Sequence, residues 1–279
     1  MRRGRVRVLA DVAVMVLALL VIAAAAVFAP KAGVAAPLVL VLVGIGISLA
    51  PVLEDFEVDP EWILEGLLPP LLYAAAVSMP AMNFRREFGA ISGLSVALVI
   101  ASALALGLLF VRLVPGLGFV WGVALGAIIS PTDAVATSII KNTGVPRRVV
   151  VILEGESLLN DATALVLLRT AVAATAVGFS FWGAVGTFAY AVVVAVVVGA
   201  AVGWANLAVR RRVRDPTVNT ILSFTVPFLA SVPAELVGSS GLVAAVVAGL
   251  VTGIRAPRRL PPRHRLSDSQ NWASVELVL

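Results

Sequence analysis

The sequence predicts an all-α polytopic membrane protein, and three observations carry that expectation. Apolar residues fill 60% of the 279 positions and charged residues only 13%, about half the ~25% of a soluble domain. The mean hydropathy is +1.04. The apolar residues also fall into nine runs, each near the ~20 residues an α-helix needs to cross a ~30 Å hydrocarbon core.

The runs cover roughly 8–28, 34–50, 61–78, 88–113, 117–140, 148–176, 181–209, 216–236 and 240–254. A tenth starts near Trp272, and the sequence stops inside it at Leu279, so the chain reads as truncated at its C-terminus. Pro69-Pro70 in the third run should kink that helix or leave carbonyls free, because proline has no N–H to donate. The Val/Ala stretch 189–202 has no polar face and reads as a lipid-facing or scaffold helix.

Basic residues give an orientation. The odd-numbered connections hold Lys31; Arg85 and Arg86; Lys141, Arg147 and Arg148; Arg210, Arg211, Arg212 and Arg214; and Arg255, Arg258, Arg259, Arg263 and Arg265. That is fifteen of the 21 Lys and Arg, against Arg112 alone in the even connections. An excess of Lys and Arg marks the cytoplasmic loops, so the odd connections are expected inside. The segment 255–271 then reads as a cytoplasmic basic loop, and the acidic second connection (Glu54, Asp55, Glu57, Asp59) faces out. Four arginines in the N-terminal tail run against this orientation, and a charged start before an apolar run also resembles a signal peptide. The loop bias outweighs the tail.

Several function classes are excluded early. There is no cysteine, hence no disulfide framework and no thiolate metal site, and the single histidine, His264, cannot form a multi-His centre. No nucleophile–base pair is visible, so an enzyme is not expected, and no cofactor is called for. The net charge of +5 does not point to nucleic acid, because the basic residues sit in short connections as membrane topology demands.

The residues that carry chemistry lie between Gly126 and Arg169. A charge in hydrocarbon costs at least ~2.5–3.5 kcal/mol, so carboxylates inside spans are functional candidates by default. In the fifth run Pro131 should break the helix at Ser130–Thr132, with Asp133 adding a charge at the break. Irregular backbone at membrane depth persists only where it is buried in protein or lines a polar cavity, and broken helices hold ions in secondary transporters. In the sixth run Ser157 and Asp161 are four apart and share a helix face, which Glu154 extends. Glu156 and Asn160 form the neighbouring stripe, so the Asn160 amide can bond the Glu156 carboxylate and leave Asp161 for a ligand. Asp161 lies thirteen residues past Arg148, about 20 Å along a helix, past the middle of the core. Arg169 reads as an interface anchor near the far end. Carboxylates with hydroxyl and carbonyl oxygens form a hard-ligand site suited to Na⁺ or Li⁺, with no resident metal. Desolvation favours a protonated carboxyl and a nearby cation the ionised form, so one site can hold either.

At these residues the chain resembles the monovalent cation/proton antiporters, in the branch of NhaP-type proteins and animal sodium/proton exchangers. The matching pieces are LLPPLLYAAA (67–76), GAIISPTDAVA (126–136) and EGESLLNDATALV (154–166), and the likeness covers essentially the whole chain in order and spacing. The resemblance implies an inverted-repeat antiporter fold whose second repeat is incomplete here. It implies that Asp161 carries the cation or proton, and that Asn160 marks the electroneutral, one-for-one branch. It further implies that Thr132 and Asp133 stand at the broken helix with the Thr132 carbonyl as a ligand, that Glu156 braces Asn160, and that Ser157 is a ligand. A homodimer and an elevator-like movement of a core domain against a dimerisation domain are implied for the full-length protein. One departure is that Tyr73 is followed by Ala74, where many relatives carry an acid; this bears on ion selectivity and could favour K⁺.

The expected function is therefore exchange of Na⁺, Li⁺ or K⁺ for H⁺ across a cell membrane, most readily a bacterial inner membrane, serving pH and sodium homeostasis. The alternatives are a non-transporting remnant of such an antiporter and a proton-coupled carrier of an organic solute. The solute carrier would need aromatic or Arg side chains in its cavity, and the central motif offers neither.

Overall fold

The computed structural model describes residues 2–49, 59–132, 144–177 and 180–278. They are helical, with no strand among them. The helices are α1 (Arg2–Phe28), α2 (Ala36–Ser48), α3 (Leu68–Ser78), α4 (Ala81–Ser92), α5 (Val99–Leu113), α6 (Phe119–Ile129), α7 (Arg147–Val177), α8 (Phe181–Arg210), α9 (Pro216–Leu236), α10 (Gly241–Arg259) and α11 (Pro262–Val278). Five stretches are long and apolar enough to cross a membrane: Val14–Ala32, Met82–Leu113, Phe181–Arg210, Pro216–Leu236 and Gly241–Arg259. Three other predicted runs form shorter apolar helices, Ala36–Ser48, Trp62–Ser78 and Phe119–Ile129. The sixth predicted run, α7, spans 31 residues, about 46 Å at 1.5 Å per residue, and carries the charges of the central motif. Apolar side chains face outward along these helices, as Val193, Val197 and Trp182 do on α8 at 60%, 62% and 78% exposure. Water would not tolerate so much contiguous apolar surface; lipid does. The chain is an all-α, multi-pass membrane protein.

The chain divides into two compact units, one of residues 1–59 with 274–279, the other of residues 60–273. In the first, α1 packs on α2, joined by a short 3₁₀ turn, Pro30–Ala32, closed by Gly33 at φ 71°.

The second unit holds the candidate site, and its helices meet through small residues. Without a hydrophobic drive between helices in lipid, close backbone approach supplies the packing, and it needs Gly, Ala or Ser four residues apart. Gly122 and Gly126 of α6 lie against Gly107 and Ala103 of α5. Gly199 and Gly203 of α8 lie against Ala244 and Ala248 of α10. Gly249 and Gly253 on another face of α10 meet the backbone of Tyr73 and Val77 in α3. α10 thus lies among α3, α8 and α9, while α6 lies between α5 and α7.

Prolines shape both ends of α3. Pro69 and Pro70 cannot donate to the carbonyls one turn back, and the chain enters α3 through a π-helical turn, Trp62–Leu67, in which the Leu68 N–H reaches back to the Ile63 carbonyl. Met79 is extended (ψ 133°) and ends α3, because the following Pro80 disfavours α-helical backbone at the residue before it.

Two connections differ from the expectation. Arg85 and Arg86, placed in a loop by the hydropathy pattern, lie on α4, which starts amphipathically at Ala81 and runs through a π turn (Gly93–Leu98) into α5. The segment 255–271, read as a loop, is mostly helical: α10 continues to Arg259, Leu260 is extended before Pro261, and α11 starts at Pro262. Polarity hid this helix, since a charged sequence can still be helical when its buried face pairs.

Candidate functional site

α6 ends at Ile129, with Ser130 as its C-cap. The Pro131 nitrogen carries no hydrogen for the Ala127 carbonyl one turn back. The Ser130 hydroxyl donates to that carbonyl instead, at 3.1 Å. The helix therefore stops and Thr132 follows in irregular backbone. Asp133, the other residue expected at this break, lies outside the described residues.

α7 runs past this point and presents Glu156, Ser157 and Asn160 to Thr132. The Thr132 hydroxyl donates to the Glu156 carboxylate, sitting 2.8 Å from both oxygens. The Asn160 Nδ2 donates to Glu156 Oε1 at 3.1 Å, to Thr132 Oγ1 at 2.9 Å and to the Thr132 carbonyl at 3.3 Å. The Ser157 hydroxyl donates to the same carbonyl at 3.4 Å. Glu156, Ser157 and Asn160 are buried, Asn160 completely. A carboxylate only accepts, which fixes the amide orientation with Nδ2 toward Glu156. That leaves Asn160 Oδ1 as a buried acceptor with no partner among the described residues.

The structure thus joins Thr132, Glu156, Ser157 and Asn160 into one cluster. It does not bury the Ser157 face as one stripe: Ser157 is buried, Glu154 half-buried and Asp161 exposed. The reason is rotation along α7, since the stripe that meets Thr132 is centred on Glu156 and Asn160, and Asp161 is turned ~100° on from Asn160. Arg169 pairs with Glu235 of α9 at 2.7 Å, so its partner belongs to another helix. Arg148, at the start of α7, pairs with the buried Glu87 of α4 at 2.9 Å. Ala74, where an acid was looked for, is completely buried beside Tyr73.

The sequence reading missed a second buried polar cluster. Arg210, counted among loop arginines, is fully buried at the end of α8. Its Nε donates to Asn219 Oδ1 at 2.9 Å, its Nη1 to the Ser223 hydroxyl at 3.3 Å and its Nη2 to the Asp268 carboxylate. The Trp272 indole N–H also donates to Ser223, at 2.9 Å, and its ring packs on Tyr73 with centroids 5.0 Å apart. Asn219 and Ser223 at a four-residue spacing inside a span were the available signal.

The model of the family described as sodium/hydrogen exchanger, transmembrane, matches residues 15–275. The chain belongs to the sodium/hydrogen exchanger family. It is 37% identical over 254 residues to the uncharacterized Na(+)/H(+) exchanger YjcE of Escherichia coli (strain K12), covering 87% of this chain and 46% of that protein. It is 29% identical to the sodium, potassium, lithium and rubidium/H(+) antiporter of Bacillus pumilus (strain SAFR-032), covering 87% of this chain and 38% of the relative. It is likewise 29% identical to the Na(+)/H(+) antiporter ApNhaP of Aphanothece halophytica, covering 85% and 46%. The chain therefore spans less than half the length of these relatives. The family expected from the three motifs is the family found, and it is a family of transporters.

Proposed function

We propose that the protein of which this chain forms the exchanger segment exchanges an alkali-metal cation for H⁺ across a cell membrane, one for one. The observation that carries the reading is the Thr132–Glu156–Ser157–Asn160 cluster, in which the buried Asn160 Oδ1 has no partner among the described residues. Glu156 accepts from two neutral donors, the Thr132 hydroxyl and the Asn160 amide, so it is held in place without any cation being bound to it. Asp161 then supplies the titratable carboxylate. It takes a proton or a cation in turn, and the oxygens of Thr132, Ser157 and the Asn160 amide complete a hard-ligand set. Asp133 belongs to the same reading, and Glu154 is its outlying support. Asn160 adds no second titratable charge beside Asp161, which fits electroneutral exchange. The range of cations in the name of the Bacillus pumilus relative supports an alkali-metal substrate, whether Na⁺, Li⁺ or K⁺. The inverted-repeat arrangement, homodimer and role in pH and sodium homeostasis are parts of this proposal.

The test is cation-dependent proton movement in everted vesicles that carry the intact protein. Asp161→Asn is expected to reduce the signal to that of vesicles without the protein. Full exchange by that variant would overturn the assignment. A response to membrane potential in the unsubstituted protein would overturn the one-for-one stoichiometry alone.

A further inference from the structure

An apolar groove of about 560 Å³ lies between α4, α7, α8 and α10, and the exchange reading makes no use of it. Its walls include Phe88 of α4, Val192 and Val196 of α8, and Val247 and Leu250 of α10, with Arg85 as the one charged residue among the described residues that line it. Phe88 and Val196 on opposite walls keep 54% and 41% exposure, so the groove is open to its surroundings. Along α4 and the π turn that follows it the lining runs from Phe84 to Val96, and on α10 from Val243 to Ile254. These are twelve and eleven residue steps, about 16–18 Å of helix. Half of a ~30 Å hydrocarbon core is about 15 Å, so the lined stretch is as deep as one leaflet.

Charge selects the occupant. Arg86 and Arg148 both approach Glu87, at 3.8 and 2.9 Å. Arg85 is exposed and makes no ion pair among the described residues. A guanidinium with no ion pair among the described residues, at one end of a leaflet-deep apolar groove, matches an anionic headgroup above an acyl chain. We propose that the groove is a site for one anionic phospholipid, with an acyl chain along α4 and α10 and the phosphate on Arg85. Leu159, Ala162 and Thr163 of α7 also line it, so the acyl chain lies against the α7 turns that carry Asn160 and Asp161.

The experiment reconstitutes the intact protein in phosphatidylcholine vesicles. These contain a small fraction of either phosphatidylglycerol or phosphatidylcholine bearing a photoreactive diazirine on an acyl chain. After illumination, mass spectrometry maps the labelled peptides. In the unsubstituted protein the phosphatidylglycerol probe should label the α10 peptide around Val247 and Leu250 about fivefold more than the phosphatidylcholine probe, as expected for one Arg near an anionic headgroup. Arg85→Gln, at an exposed position, should abolish that difference. Val192→Trp, which fills the groove, should reduce labelling by both probes. Equal labelling by both probes in the unsubstituted protein would overturn the choice of an anionic lipid. No labelling of α10 would show the groove closed by protein, and labelling unchanged by either substitution would show the probe reaching α10 outside the groove; either result would overturn the site.

Discussion

Asn160 Nδ2 lies 2.9 Å from Thr132 Oγ1, tying the middle of α7 to the residue where the chain leaves α6. The bond spans 28 positions of sequence. It makes the broken end of α6 and the acidic stripe of α7 one structural object, with Glu156 bonded to both partners.

Thr132→Val tests that object, since it keeps the shape and removes the hydroxyl. Glu156 and Asn160 then each lose a partner in a buried setting, which costs about 1–3 kcal/mol. Thermal unfolding in detergent should show the loss, and Thr132→Ser should recover most of it. A double-mutant cycle with Asn160→Ala should give a coupling of roughly 0.5–3 kcal/mol. Additive effects would mean that the 2.9 Å contact contributes nothing.

Gly199 tests the packing. A Cβ there would collide with the Ala244 carbonyl of α10, whereas a Cβ on Gly186 of the same helix meets nothing within 4 Å. Gly199→Ala should therefore destabilise by about 1–3 kcal/mol, as overpacking does. Gly186→Ala should stabilise by a fraction of a kcal/mol up to about 1. Unfolding midpoints measured side by side check both signs.

The sequence made the helices legible because membrane spans announce themselves through length and apolarity, and α8 and α9 lie within a residue of their predicted bounds. The Glu156–Asn160 bond was legible because four-residue spacing places side chains together on any helix. Burial of Arg210 was not legible. Its position in a run of arginines suggested a solvated loop, and only tertiary packing brings Asp268, 58 positions away, against it. The start of α4 was missed for a related reason: Arg85 and Arg86 interrupt the hydropathy, although the helix passes straight through them.

Arg210 gives the third prediction. Its side chain is fully buried and paired with Asp268, so Arg210→Met alone leaves a buried carboxylate without its partner. Breaking a buried pair in this way costs about 3–5 kcal/mol. Replacing both members, as Arg210→Met with Asp268→Leu, should recover much of the loss, because well-packed apolar residues often match a buried ion pair. Chemical unfolding of the single and double variants distinguishes the two. A single variant as stable as the parent would show that the pair does not hold α11 to α8.

Asp215 gives a prediction in pH. Its side chain caps α9, accepting from the Thr217 N–H at 2.7 Å and the Val218 N–H at 3.3 Å, with Pro216 following in the first turn. The Val218 and Thr217 N–H bonds hold its carboxyl below the ordinary carboxylate range. A carboxyl depressed in the folded state contributes stability that is present above its unfolded value, ~3.9 for Asp, and is lost as pH falls through the lower folded value. Asp215→Ala should thus unfold more easily than the parent at neutral pH, and the gap should narrow as pH drops below about 4. Asp215→Asn keeps a capping oxygen and has no proton to gain, so its stability relative to Asp215→Ala should not change with pH. Thermal unfolding of the three proteins between neutral and acid pH checks the sign, and a gap that widens on acidification would contradict it.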